Sequence, residues 1–231
     1  MFLTNGSAYS HAPFPYAKTG DFSMQWKLDD IRFLHPPYDF VGSFTNEKMQ
    51  ERHKAMQDEK VKEIHTALLN AKLPVDAMNV LNYTEHIQFV LNNLDKFRET
   101  NTLESTVLRI YYRNNTPFAP AGKYETWTML LELCDREKLL AQGKAFPQEG
   151  CVAYRGSLTN IPQGLSWTTD IKEAQWILNR WQDKELGGGT VYSTTIHPED
   201  ILVYVVDSKR HEVILKPEVS EAIQPEVITS I

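Results

Sequence analysis

The apolar positions change their period along the 231 residues, and the changes divide the chain into three parts. Residues 1–44 show no sustained period. They carry clusters of aromatics and prolines instead: Pro13-Phe14-Pro15-Tyr16, then Phe33-Leu34-His35-Pro36-Pro37-Tyr38 and Phe40. Proline fixes φ and removes a backbone donor, which argues against long regular elements. Aromatic rings are unfavourable in water, which argues against a floppy tail. An irregular arm packed on the body is expected, with an exposed partner-binding arm as the alternative. Residues 45–145 read as a helical lobe. Met49, Met56, Val61, Ile64 and Leu68 form a loose apolar stripe on a highly charged helix. Ile87, Val90, Leu91, Leu94 and Phe97 are spaced as on one amphipathic helix, with Thr84 near its start. Leu103–Tyr112 fits helix or strand. Trp127, Leu130, Leu131 and Cys134 repeat the helical spacing, and Gly143 is a stop signal.

From residue 146 to 231 the pattern is mainly β. Val152–Arg155, Leu165–Thr169, Val191–Ile196, Ile201–Val206 and Val213–Leu215 are short apolar or β-branched runs. One helix interrupts them. Asp170 suits its N-cap, Glu173 stands where a capping box places its second member, and Ile171, Ala174, Leu178 and Trp181 share a face. Gly187-Gly188-Gly189 reads as a loop. Helices followed by strands make the fold class α+β.

Composition excludes several classes. Hydrophobic residues are 42% and charged residues 23%, ordinary values for a packed protein rather than a disordered or collagen-like one. The 24 Lys and Arg against 30 Asp and Glu give −6, the wrong sign for a protein that coats a polyanion. Residues 151–231 hold 7 of those cations and 11 of the acids. No segment is apolar enough to span a bilayer, so no membrane partner is expected. The opening MFLTNGSAYSHAPFPY lacks the basic start and apolar run of a signal peptide, and a cytoplasmic location is expected. Cys134 and Cys151, the only cysteines, stand outside any metal-spaced cluster, and reduced thiols are the simplest reading. The histidines are scattered, and no metal site is expected. Gly187-Gly188-Gly189-Thr190 lacks the lysine of a phosphate loop, and His211-Glu212 lacks the second histidine of a zinc-protease helix.

Three segments in the last third carry candidate chemistry: Tyr154-Arg155-Gly156, Ser166-Trp167-Thr168-Thr169-Asp170 and Arg210-His211-Glu212-Val213. In order they supply an arginine leaving a strand, a hydroxyl-bearing strand, and a glutamate entering a strand. Taken one at a time they have plainer readings: a surface arginine, a helix cap at Asp170, and an edge-strand charge at Glu212. Taken together, the ordered set resembles the R-S-E class of mono-ADP-ribosyltransferases, the branch shared by arginine-directed and toxin-like enzymes.

The resemblance covers residues 151–217 and implies an ADP-ribosyltransferase-like split β-sheet core preceded by a helical lobe. Residues 146–231 would be the NAD-binding core of one catalytic domain. It implies NAD as substrate, with Tyr154, Arg155, Gly156, Ser166, Trp167 and Thr168 on the NAD side and Glu212 as the catalytic carboxylate. The chemistry suits these residue types. A guanidinium gives forked donors to phosphate, and glycine allows close backbone approach. A carboxylate beside the ribose stabilises an oxocarbenium-like state. Trp167, Trp176 and Tyr192 would either stack on the ligand or fill the core. Arginine-directed members carry a second acid two residues before the catalytic glutamate; here that position is Arg210. Arg210 would pair with Glu212 or contact an anionic acceptor, and His211, the neighbouring base, would alternate away from the site. The implied partners are a macromolecular acceptor, protein or nucleic acid such as RNA, and an antitoxin or inhibitor protein. Hydrolysis of NAD by water, or an inactive binding module, are the alternatives.

Overall fold

A computed structural model describes residues 46–113, 124–181, 189–207 and 210–230. The arm at 1–44 and the glycines Gly187 and Gly188 lie outside these residues. The chain divides between Arg113 and Asn114 into two compact units.

The first unit is helical. Helix α1 (Glu47–Leu69) is capped by Asn46, whose Oδ1 accepts from Met49 N. Only the C-terminal part of its stripe is buried: Ile64 and Leu68 are covered, whereas Met49 and Met56 are exposed. Helices α2 (Pro74–Met78), α3 (His86–Asn92), α4 (Leu94–Glu99) and α5 (Leu103–Arg113) follow. The single helix expected through Ile87 and Phe97 is broken at Asn93. Asn93 leaves helical geometry (φ −121°, ψ 24°), and its amide Nδ2 donates at 2.9 Å to Phe89 O, the carbonyl that its own backbone N–H also bonds. Phe89 and Phe97 still meet edge to face across the break, with ring centroids 6.1 Å apart. Leu103–Tyr112 is helical, with Leu103, Val107, Leu108 and Ile110 buried.

The second unit is α+β. Helices α6 (Tyr124–Glu132) and α7 (Arg136–Ala141) belong to it, although their sequence pattern groups them with the helices before them. Arg136 explains why α7 goes with the strands: its guanidinium donates to the carbonyls of Pro198 and Ile201. The strands are β1 (Cys151–Ser157), β2 (Ser166–Thr168), β3 (Thr190–Ile196), β4 (Ile201–Asp207), β5 (Arg210–Leu215) and β6 (Glu226–Ser230). Helix α8 (Ile171–Trp181) follows β2, and α9 (Pro217–Ala222) follows β5. The sheet runs β4-β5-β2-β1-β3-β6, with every neighbouring pair antiparallel.

The middle of this sheet is nearly open. Strands β1 and β3 pair along seven positions, from Cys151–Ile196 to Ser157–Thr190. Strands β1 and β2 share one, Tyr154–Thr168. The halves β4-β5-β2 and β1-β3-β6 therefore join at a single register pair.

Two apolar layers cover the sheet. On one face Ala153, Trp167, Tyr192 and Val213 pack with Phe146, Ile196, Ile201 and Leu215. On the other, Leu158, Val191 and Tyr154 pack with Ala174 and Leu178 of α8. Gly156 makes the second packing feasible, because a Cβ there would overlap the carbonyl oxygen of Ala174. Among the described residues no helix is long and apolar enough to cross a membrane.

Candidate functional site

Register decides which side chains meet. Directly opposed residues in antiparallel strands point to the same face. Tyr154 opposes Thr168, and Thr168 opposes Glu212, so these three share a face with Ser166. Arg155 and Trp167, one residue along, point to the other face.

Glu212 is the centre of this arrangement. Strand β5 lies between β4 and β2, so Glu212 is an interior position rather than an edge charge, and it is 5% exposed. Its Oε1 accepts from the Ser166 hydroxyl at 2.6 Å. Its Oε2 is buried and receives no hydrogen bond among the described residues. Among the described residues it pairs with Arg210, whose Nε stands 3.7 Å from Oε2, beyond hydrogen-bonding range. Burial pushes the Glu212 carboxyl above its ordinary value. The Ser166 bond and the Arg210 charge oppose that rise, and the charge of Glu173 adds to it.

Ser166 ties the site to the opening in the sheet. Its hydroxyl holds Glu212, while its main-chain carbonyl accepts from Arg155 Nη1 at 2.8 Å. Arg155 thus reaches across the gap between β1 and β2 and satisfies a carbonyl that a continuous ladder would have bonded. The guanidinium lies against Gly164, where any Cβ would overlap it. Arg155 and Glu212 meet through Ser166, from opposite faces of the sheet.

Three expected roles change. Trp167 is 1% exposed, and its indole N–H donates to Gly164 O at 2.9 Å. Its ring belongs to the core and presents no face to a ligand, as alternation between Ser166 and Thr168 requires. The space left by the missing side chain of Gly156 is taken by Ala174 of α8, so on that side it serves helix packing rather than ligand approach. Tyr154 packs into the apolar cluster with Ala174 and Leu178. Of the other two aromatics, Tyr192 is core, with its hydroxyl donating to Asn160 O, and Trp176 is 54% exposed on α8.

Glu173 is the site residue that sequence reasoning placed elsewhere. As the second member of a capping box it would accept from the Asp170 N–H. That N–H instead donates to Thr168 Oγ1, and Asp170 caps α8 by accepting from Lys172 N. The Glu173 carboxylate turns toward β2 and β5. Its Oε2 accepts from the Thr168 hydroxyl at 2.6 Å and from His211 N at 3.2 Å, and its Oε1 lies 2.9 Å from His211 Nδ1. Donor atoms of Asp170, Glu173 and His211 fall within 4.8 Å of one another, the one such group among the described residues. Each is already engaged in a protein hydrogen bond, so the group is a hydrogen-bonded cluster rather than a preformed cation cage. Cys134 and Cys151 are free thiols.

A hollow of about 420 Å³ lies elsewhere, against Arg136, Lys144, Phe146 and Glu199, and none of the residues around Glu212 lines it. Comparison with protein-family models, with curated proteins and with solved structures returns no match.

Proposed function

We propose that this protein cleaves the nicotinamide–ribose bond of NAD and transfers ADP-ribose to a macromolecular acceptor. The observation that carries the reading is the buried Glu212 carboxylate, with one oxygen held by Ser166 and the other without a donor. A buried polar atom left unsatisfied in a native fold calls for an explanation, and a ribose hydroxyl donating to Oε2 supplies one. The same carboxylate, in a low-dielectric setting, stabilises the positive charge that develops on the ribose as nicotinamide leaves.

Three further features support the reading. Ser166 fixes the carboxylate before substrate arrives, which removes a reorganisation cost. The sheet is joined by one pair between β1 and β2, in keeping with the split core that the R-S-E resemblance implies. Arg155 stands at that opening on the opposite face from Glu212, so its part in the reading is to hold Ser166 through the main-chain carbonyl rather than to anchor the pyrophosphate. Arg210 pairs with Glu212 and enters as the residue that an anionic acceptor would draw away.

The test is to incubate the protein and adenylate-labelled NAD with cell lysate, then treat samples with protease or nuclease. Label that one treatment removes identifies the acceptor class. Free ADP-ribose without labelled macromolecule would make the protein an NAD glycohydrolase. NAD binding without nicotinamide release would make it a binding module.

A further inference from the structure

We infer that Glu173 is a positioning residue of the Glu212 site: its carboxylate clasps the ends of β2 and β5 and so holds Ser166 and Glu212 in bonding register. The inference rests on the ADP-ribosyl transfer reading and deepens it. The bonded pair spans two strands, with Ser166 on β2 and Glu212 on β5. Strand β2 is only three residues long and shares a single register pair with β1. Its ladder to β5 runs out just past Thr168. Thr169 N still donates to His211 O at 3.0 Å, but the next N–H, of Asp170, turns back to Thr168 Oγ1. Helix α8 delivers the group that closes this end.

Three donors converge on the Glu173 carboxylate. Oε2 accepts from the Thr168 hydroxyl at 2.6 Å and from His211 N at 3.2 Å, and Oε1 lies 2.9 Å from His211 Nδ1. A carboxylate only accepts, so Nδ1 carries the ring proton. Thr168 belongs to β2 and His211 to β5, so one side chain of α8 bridges both strands. The bridge flanks Glu212 twice: Thr168 is its register partner, and His211 is the residue before it. Alternation turns the His211 ring to the face opposite Glu212, so the ring serves here as an anchor for β5 and takes no part in the reaction. If the two strand ends separate, the Ser166–Glu212 bond, at 2.6 Å, is the contact that lengthens. Glu173 also presents its charge to Glu212, which opposes ionisation of the buried carboxyl and adds to the field that favours a cationic sugar. Among the described residues, the other charged and titratable groups around Glu212 are Arg210 on β5, opposed by Asp207 of β4, and Tyr154 of β1 on the same face. Those around Glu173 are His211 and Asp170.

Two variants separate the bonds from the charge. Glu173→Ala removes both. Glu173→Gln keeps a carbonyl oxygen that accepts from Thr168 and from His211 N. Its amide donates to Nδ1 once the ring proton moves to Nε2, so the bridge survives while the charge is lost.

Nicotinamide release from NAD, with cell lysate supplying acceptors, is measured across the pH range for the wild type and both variants. The Glu212 carboxyl is titrated by NMR in the same proteins, its resonance assigned by its loss in Glu212→Gln. Glu173→Ala is expected to lower the rate at saturating NAD at least about 10-fold, with a smaller change in KM, because the reacting groups are bound but misplaced. Glu173→Gln regains most of that rate. Its Glu212 titration and the acid limb of its pH profile both move to lower pH, since Glu212 ionises more readily without the neighbouring charge. Glu173→Ala, folded by its melting curve, with the wild-type rate overturns the clasp. Glu173→Gln in which Glu212 titrates as in the wild type overturns the placing of Glu173 beside Glu212, and this variant decides the matter if Glu173→Ala does not fold. A wild type that releases no nicotinamide overturns the transfer reading, and the Glu212 titration still reads the action of Glu173 on Glu212.

Discussion

Replacing Glu212 by glutamine should make the protein more stable at neutral pH while removing its activity. The direction follows from burial. The carboxyl is pushed above its ordinary value of 4.5, so the folded chain holds a proton at pH values where the unfolded chain has lost it. Stability therefore falls as pH climbs from that ordinary value through the raised one, and above it the ionised carboxylate is a net cost. Glutamine keeps the bond from Ser166, because its carbonyl oxygen accepts as Oε1 does. It replaces an unsatisfied charged oxygen with a neutral amide. An unsatisfied neutral polar group costs about 1–3 kcal/mol and a charged one more. Losing the pair with the partly exposed Arg210 and burying the glutamine NH2 without an acceptor together return about 1–2 kcal/mol of this. The net gain is about 1–2 kcal/mol, or roughly 2–8 °C in Tm at about 2–4 °C per kcal/mol for a chain of this size. Thermal unfolding of both proteins at pH 8 and again near pH 4.5 reads it. The gain should be present at pH 8 and shrink at the acid pH. A variant less stable than the wild type by the same amount at both pH values would refute the argument that Glu212 is held against its solvation.

Two glycines give tests that leave Glu212 untouched. Gly164→Ala places a methyl group where the Arg155 guanidinium lies, so Arg155 must leave the Ser166 carbonyl. NAD turnover should fall at least about 10-fold, because Ser166 loses its support while the arginine, a flexible side chain, moves at little cost in Tm. Gly156→Ala instead meets the main-chain carbonyl of Ala174, which cannot swing aside. It should cost about 1–3 kcal/mol in urea unfolding, with activity lost alongside stability.

Local chemistry made strands β1 to β5 and helix α8 legible, whereas α9 and β6 carried no such signal. Short apolar and β-branched runs marked β1, β3 and β4, and Asp170 does cap α8. Alternation along Ser166-Trp167-Thr168 also contains the correction to Trp167. If the two hydroxyls face the site, the ring between them faces the core. What stayed hidden depends on long-range register. The partner of Arg155 is a main-chain carbonyl across the opening between β1 and β2, and no side-chain pattern reports a carbonyl. Glu173 fits a capping box by spacing alone. Only the pairing of β2 with β5 shows that Thr168 and His211 claim its carboxylate instead. The break at Asn93 was hidden for a similar reason, since apolar spacing continues through it while the amide bonds Phe89 O.

The central claim is that Glu212 acts on the nicotinamide–ribose bond. The most direct measurement is nicotinamide release from NAD by the protein with cell lysate supplying acceptors, set beside Glu212→Gln of matched fold and concentration. Release by the wild type and a loss of at least about 10²-fold in the variant is the predicted result. Equal release by the two proteins would contradict it.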